Sequence, residues 1–304
     1  MAQLPAVGTR VSLRYRLPSG SMPPMTDVVG HLEAVGPTLR VRTKRDELVN
    51  VAAEDVVAIK ALAAVPVRTG DIRNLEHAAA LAWPGIEHEW IDGWLLRYGN
   101  GSTRRANSAV PLAVSTVDQL DAIIDWYAGR GTPPLLAVPD RLFRIPPGVP
   151  VGGENLVMTT ELATATPSTF DVTLSARPDD EWLRLYRRDV PPGVLTAVID
   201  GELAFATMAG AAVGRAALTT APDGTSWVGL SAVHVMEQAR GRGLARALCN
   251  FLLSWGAGRS ATRAYVQVLT DNAVATGLYE SMGFGVHHRS RYVRADEMAR
   301  RDVS

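Results

Sequence analysis

The chain has 304 residues, of which 47% are hydrophobic and 20% are charged, and its formal net charge is zero. This length allows two or three domains, and the balanced charge gives no whole-chain reason to expect binding to nucleic acid or to a membrane surface. The single cysteine, Cys249, excludes an intrachain disulfide. Because the sequence has neither an export signal nor an apolar stretch of about twenty residues, we expect a cytoplasmic protein without a membrane segment.

Short alternating segments occupy the first sixty residues. Strands are predicted over 7–16, 28–36, 38–43 and 47–51. This meander predicts a small SH3-like or Tudor-like β-barrel over residues 1–63. Its arginines and lysines are nearly cancelled by aspartates and glutamates, so we interpret the barrel as a structural or docking module and do not favour nucleic-acid binding.

The middle region, from 66 to 170, follows a linker at about 61–67. The predicted elements are a helix over 71–83, strands over 90–98 and 104–110 around Gly99-Asn100-Gly101, a helix over 117–127, and strands over 135–138 and 156–160. Glu87, His88 and Glu89 are adjacent on an extended segment. Their side chains should alternate between two faces, which argues against a shared metal site.

The region from 171 to 304 opens with a helix over 181–186. A hairpin of 196–199 and 203–208, joined by Asp200-Gly201, and a continuing strand over 209–217 are expected to follow. Near the end, His287 and His288 lie on a strand predicted over 286–293. Neighbours on a strand point to opposite faces, so we expect no shared metal site there, and the tail from Asp296 is predicted to be mobile.

A glycine-rich turn joins a strand to a helix in the last third of the chain. The apolar run 227–235 predicts a buried strand, and apolar residues at helical spacing from Leu244 to Trp255 predict an amphipathic helix. Between them, Gly241 and Gly243 let the backbone approach a ligand, and Arg240 and Arg242 add positive charge nearby. The free N–H groups of a helix N-terminus favour an anion, so this turn predicts a phosphate site.

A second strand and helix follow this turn. The run 263–269 predicts a strand, Asn272 is placed as the N-cap of a helix over 273–282, and Gly283 suits the position after the helix C-terminus. Tyr279 on this helix can donate a proton, although a half-buried packing role is the alternative.

Together these segments resemble the GCN5-related N-acetyltransferases (GNAT). The family signature Q/R-x-x-G-x-G/A occurs from Gln238 to Gly243 and again from Arg240 to Ala245, and the later pattern of Asn, Tyr and Gly-Phe matches Asn272, Tyr279 and Gly283-Phe284. The resemblance covers residues 226–293 and extends back to about 172. It implies an α/β (α+β) GNAT fold with a mixed central sheet over 171–304. The order of predicted elements over 66–170 resembles the same pattern without its glycine-rich turn, so we infer a degenerate acetyltransferase-like region there.

The resemblance also implies roles for individual residues. The main chain around Val233 and Val235 would pair with the pantetheine arm of acetyl-CoA, and Asn272 would contact that arm or an ordered water. Tyr279 would protonate the departing thiolate, and no metal would be needed. The pyrophosphate would be bound by the turn residues Gln238, Arg240, Gly241, Arg242, Gly243, Leu244 and Ala245.

The general base is not evident, because the strand from Trp227 to Met236 contains no carboxylate. His234 and Glu237 are candidates, and a chain of water molecules is the alternative. The resulting hypothesis is acetyl transfer from acetyl-CoA to a primary amine. The acceptor is open, with glutamate as one option and Arg104 and Arg105 as candidates, by residue type, for binding its carboxylate. The competing hypothesis is a CoA-binding regulatory or adaptor protein that has lost catalysis.

Overall fold

The computed structural model describes residues 4–62, 67–162 and 170–302. The chain divides into two compact units, Met1–Pro66 and Val67–Ser304. Within the described parts of both units, no helix is long and apolar enough to cross a membrane.

The first unit is a five-stranded antiparallel sheet. Its strands are β1 (Arg10–Arg16), β2 (Met25–Ala34), β3 (Thr38–Thr43), β4 (Leu48–Ala52) and β5 (Val56–Ala61), in the order β4-β3-β2-β1-β5. Alternate residues such as Val11, Leu13, Leu32 and Val41 form a core of their own. The predicted meander is confirmed, but the prediction of a closed SH3-like barrel is wrong, since β4 and β5 are the two edges of an open sheet.

The second unit combines seven helices and eleven strands among its described residues. The helices are α1 (Thr69–Leu81), α2 (Leu120–Ala128), α3 (Asp180–Tyr186), α4 (Pro192–Leu195), α5 (Leu244–Ala257), α6 (Ala273–Glu280) and α7 (Ala295–Asp302). The strands are β6 (Glu87–Ile91), β7 (Trp94–Tyr98), β8 (Val110–Pro111), β9 (Leu135–Pro139), β10 (Glu154–Glu161), β11 (Thr173–Ser175), β12 (Glu202–Met208), β13 (Ala212–Thr220), β14 (Ser226–Val235), β15 (Arg263–Leu269) and β16 (Gly285–Arg294).

One large mixed sheet organises this unit. Its strand order is β11-β12-β13-β14-β15-β10-β16-β9, and β14 and β15 run parallel. This confirms the mixed sheet expected from the resemblance. β9 and β10 precede residue 170, yet β10 lies between β15 and β16. The predicted boundary between 170 and 171 therefore does not coincide with a break in the sheet.

Helices cover both faces of the central strands. On one face, α5 buries Leu244, Leu248, Leu252 and Trp255, the stripe that the sequence predicts. On the other face, α1 packs Leu75, Ala78 and Ala79 against Trp227 and Tyr265. Burial of these apolar side chains, each contributing roughly 1.5–3 kcal/mol for a Leu-sized group, holds both helices on the sheet.

Two predicted hairpins are wrong. β7 pairs with β6 around Asp92-Gly93, both at positive φ. On its other side β7 pairs with β8, so only Val110 of the strand predicted over 104–110 takes part. The Asn100 loop is instead held by Asn107, whose Oδ1 accepts bonds from the N–H groups of Gly99 and Gly101. Likewise, residues 196–199 form no strand, and β12 pairs with β11 and β13.

The tail from Asp296 is also mispredicted, because it forms helix α7. Ala295 and Met298 are buried against Leu120, Ile123 and Tyr127 of the α2 region. Ala299 packs against the same cluster, so three apolar residues at helical spacing dock this otherwise polar helix.

Candidate active site

A V-shaped gap opens between β14 and β15. The two strands pair only from Trp227↔Arg263 to Leu230↔Val266. Beyond Leu230, β14 pairs only with β13, and a bulge with Ala232 at φ 52° interrupts that pairing. The main chain from 231 to 235 therefore has no strand partner on its β15 side among the described residues. An extended ligand could pair there as an additional strand.

Val233 and Val235, which the sequence analysis assigns to the pantetheine arm, lie on this free segment and are partly buried. The bulge matters because it adds one residue to β14 and turns the strand away from β15.

The glycine-rich turn lies at the mouth of the gap. Gly241 and Gly243 have φ values of 73° and 77°, which L side chains rarely adopt, and Gly243 is the N-cap of α5 without a side-chain cap. The turn is tied to the end of β14 by a bond from Arg240 Nε to Val235 O, 3.4 Å long. The first N–H groups of α5 remain available to an anion.

The remaining residues of the predicted phosphate site surround this turn. Gln238, Arg240 and Arg242 are exposed, whereas Leu244 is buried in the core and anchors the helix start. Ala245 follows it in the first turn of α5, partly buried. Flexible cations around a fixed backbone nest suit a phosphate group.

Helix α6 brings Asn272 and Tyr279 to the other side of the gap. The predicted N-cap is confirmed, since Asn272 Oδ1 accepts a bond from Ala275 N at 3.1 Å. Gly283 has a φ of 87° and lets the chain turn back, so that Phe284 N bonds to Tyr279 O and the two rings meet edge to face. The helix end therefore fixes the position of the tyrosine.

Tyr279 is held in its acid form. The side chain is only 7% exposed, and burial, followed by the neighbouring Cys249 thiol, raises its pKa well above the usual value near 10. Burial likewise raises the pKa of Cys249 to about 12, so this thiol stays protonated. Tyr279 therefore carries a proton at neutral pH, whereas Cys249 is unsuited to nucleophilic attack.

His234 lies near the free end of β14, opposite Val213 of β13. Burial, then the charges of Arg240, Arg188 and Arg187, lower its pKa, while Glu237 opposes the shift. The ring is therefore neutral at pH 7 and could accept a proton. Glu237 itself is exposed in the turn Glu237–Ala239.

A polar cavity that is absent from the sequence-based predictions lies beneath α1. It is lined by Glu76, Ala79, Arg97, Arg105, Ala137, Asn155, Gln267, Ser290 and Tyr292. Glu76 and Arg97 are both 4% exposed. A signal was present in the sequence, because Glu76 lies beside the apolar stripe of α1 and Arg97 interrupts the apolar run of β7.

Arginines dominate this side of the gap. Arg105 is half-buried with its guanidinium 5.6 Å from the centre of the Trp83 ring. Arg215 lies over the same ring and donates to the carbonyls of Leu195 and Ala82. Arg104, by contrast, is exposed and donates to Gly152 O at 2.6 Å. The two neighbouring candidates for a carboxylate site thus have different surroundings.

The prediction that His287 and His288 face apart is wrong. Their Nδ1 atoms are 2.8 Å apart, and His288 Nε2 lies 2.7 Å from Glu76 Oε1. The reason is a bulge in β16, where the register shifts between Val286 and His288 and removes the strict alternation. No group of three or more His, Cys, Asp or Glu side chains in the described ranges is arranged to hold a metal ion.

Comparison with known proteins agrees with this geometry. The model of the family described as "Probable histone acetyltransferase Rv0428c C-terminal" matches residues 69–293. The chain belongs to this family. The model described as "Rv0428c N-terminal Sm-like domain" matches residues 5–60, so the first unit is Sm-like and the SH3-like assignment is corrected. The glycine-rich signature and the mixed sheet agree with membership of this acetyltransferase family.

Relatives cover different lengths of this acetyltransferase. "Probable histone acetyltransferase Rv0428c" of Mycobacterium tuberculosis (strain ATCC 25618 / H37Rv) is 51% identical over 300 residues, which is 98% of each chain. "Uncharacterized N-acetyltransferase YobR" of Bacillus subtilis (strain 168) is 25% identical over 252 residues, 70% of this chain and 94% of that protein.

A solved structure shares the fold. The GCN5-related N-acetyltransferase from Kribbella flavida superimposes with a TM-score of 0.54 at 13% identity, and the match covers 75% of this chain and 96% of that one. At this identity the likeness concerns the fold alone.

Proposed function

We propose that the protein transfers the acetyl group of acetyl-CoA directly to a primary amine. The observation that carries this proposal is the gap between β14 and β15 with the Gly241–Gly243 turn at its mouth. A pantetheine arm pairing with residues 231–235 would direct the pyrophosphate to the N-terminus of α5. The thioester would then lie within the gap, between Tyr279 on one side and the α1 face on the other.

The chemistry follows from this placement. The amine nitrogen attacks the carbonyl carbon, the C–S bond breaks, and Tyr279 gives its proton to the leaving thiolate. A buried phenol with a raised pKa still holds that proton at neutral pH. In this scheme Asn272 organises the start of α6, and neutral His234 is one of the groups that could receive a proton from the amine.

The direct test measures CoA release by thiol detection when acetyl-CoA and the protein meet a panel of amines. The panel contains amino acids, polyamines, aminoglycosides and lysine peptides, including histone-tail peptides because of the relative's name. Acceptor-dependent release at a rate above solvent hydrolysis is expected. Tight acetyl-CoA binding without release from any acceptor would contradict the proposal and favour a CoA-binding regulatory protein.

Charge around the gap supports an acceptor that carries a carboxylate, such as an amino acid, with glutamate one example. Arg105 has no carboxylate partner within 4.0 Å among the described residues, and Arg187, Arg188 and Arg240 all act electrostatically on His234. These cations would repel a polycationic peptide and attract an anionic group beside the reacting amine.

Replacing Arg105 tests this preference. Arg105→Gln should raise the KM for a carboxylate-bearing acceptor by about 10²-fold, because a charge-assisted contact contributes roughly 1.5–3 kcal/mol. The KM for the matching amine without the carboxylate should not change. Arg104→Gln, at a guanidinium already bonded to Gly152 O, should have the smaller effect. If Arg105→Gln leaves the KM for the carboxylate-bearing acceptor unchanged, Arg105 does not bind the acceptor.

A further inference from the structure

Glu76 is a buried carboxylate that the proposed chemistry has not yet used. It lies on α1, is 4% exposed, and its Oε1 atom is 2.7 Å from His288 Nε2. Burying a carboxylate costs free energy unless it is hydrogen-bonded. An apolar side chain at this position of α1 would avoid that cost. A function that needs a carboxylate in this place would account for it.

The hydrogen bonds around Glu76 define the protonation of its neighbours. A carboxylate can only accept, so His288 donates from Nε2 and, as a neutral ring, accepts at Nδ1. His287 must then donate from Nδ1 across the 2.8 Å contact. Burial and then His288 lower the pKa of His287 to about 4, which keeps this outer ring neutral at pH 7. The two imidazoles together orient Glu76.

The cavity beside Glu76 has one wall on β15. It has a volume of about 10 Å³, enough for about one water molecule, and Gln267 lines it. Gln267 follows Val266, the last residue of β15 that pairs with β14. One residue of the cavity wall is therefore next to the point where the two strands separate. Arg105 lines the same cavity, and its charge also acts on Tyr279.

We infer that Glu76 receives the proton of the acceptor amine through a water molecule in this cavity, and that His288 and His287 position it for that role. The inference rests on the proposed N-acetyl transfer. It supplies the carboxylate that β14 lacks, from a helix on the opposite side of the sheet from α5.

The proton transfer balances without any other reagent. As the amine nitrogen bonds to the carbonyl carbon, one N–H bond breaks and its proton passes to the water. A proton of that water forms an O–H bond with Glu76. The C–S bond breaks at the same carbon, and the thiolate takes the proton of Tyr279. Both groups then exchange protons with solvent before the next turnover.

Charged and titratable groups face this network from every adjoining element. Those acting on His287 are Asp71 from α1, Arg263 from β15 and the ring of His288. Those around Glu76 are Arg97 from β7, Tyr265 from β15, and Arg105 and Tyr292 at the cavity wall. The groups around Glu76 therefore carry more positive than negative charge.

The test compares pH–rate profiles of the full-length protein and Glu76→Gln, with the best acceptor from the amine panel. In the wild type, kcat should stop rising with pH at a pH below the pKa of the acceptor amine. In Glu76→Gln, kcat at pH 7 should fall by about 10²–10⁴-fold and then rise with pH until the amine itself loses its proton. Acetyl-CoA affinity should not change in this variant.

Two variants of His288 separate positioning from folding. His288→Gln keeps an N–H group near the Nε2 position and should retain kcat within a few-fold. His288→Leu removes the hydrogen-bond donor while Glu76 remains. It should lower kcat and shift the pH at which kcat stops rising. Glu89→Gln is the matched control, since it also removes a bonded carboxylate, 2.6 Å from Trp126 Nε1, but away from the gap. Its kinetics should match the wild type.

Failure of the inference and failure of the proposed function would differ. If the wild type releases CoA and both Glu76→Gln and His288→Leu keep its pH profile, Glu76 is not the proton acceptor. If the wild type releases no CoA with any acceptor, the proposed function itself is wrong. If Glu76→Gln does not fold, His288→Leu still tests the inference. A pH–rate profile equal to that of the wild type in this variant overturns the positioning role.

Discussion

At the scale of single residues, environment decides what each side chain can do. Tyr279 and Tyr265 are both buried tyrosines with raised pKa values, yet they lie on opposite faces of the sheet. Tyr265 packs over Gly229, where an added Cβ would lie 2.3 Å from its ring. Tyr279 instead lies beside Cys249 at the gap. The residue type predicts an acid, but only the fold tells the two apart.

Replacing Tyr279 by Phe removes one hydroxyl and keeps the packed ring. We expect kcat to fall by about 10²–10⁴-fold with acetyl-CoA affinity nearly unchanged, measured by thiol release and by calorimetric titration. Because the pKa of Tyr279 is raised, its acid form persists above its usual range, and the wild type should show no basic fall in kcat below about pH 10. A rate equal to the wild type's would exclude Tyr279 as the acid.

At the scale of elements, local patterns predicted the parts of the site that local physics controls. The bounds of β15 and the starts of α5 and α6 agree with the sequence analysis, because apolar periodicity and capping residues determine them. The predictions that are wrong concern features that depend on residues distant in sequence or on bulges. The Gly99-Asn100-Gly101 sequence is the stronger turn signal, so the sequence does not predict the turn at Asp92-Gly93. The bulge that brings His287 to His288 has no recognisable sequence pattern.

The two glycines of the turn offer an element-scale prediction. Gly243→Ala places a side chain at a φ of 77° and should cost about 1–2 kcal/mol of stability, although no atom lies within 4 Å of the new Cβ. The KM for acetyl-CoA should also rise, by about tenfold or more, because the N-terminus of α5 would shift. Gly224→Ala, at a φ of 85° and the other end of β14, is the control: similar thermal destabilisation with unchanged KM. Equal KM values in the two variants would argue against a phosphate site here.

At the scale of the whole molecule, two units with separate cores share one chain. We expect residues 67–304 produced alone to fold and to acetylate small amines with a kcat within a few-fold of the full chain, because all the proposed site residues lie there. Circular dichroism and thiol release would check this. Loss of activity in a folded fragment would show that the Sm-like unit contributes to catalysis.

The position of β10 has a consequence for biosynthesis. This strand is made before its two neighbours, β15 and β16, which begin at Arg263 and Gly285. Throughout that interval the nascent protein exposes both edges of a strand whose centre, Leu156-Val157-Met158, is apolar, a condition that invites misassembly. The sheet can close around β10 only after residue 294 has been made, so cells that make this protein in quantity should depend on chaperones to protect it during that interval.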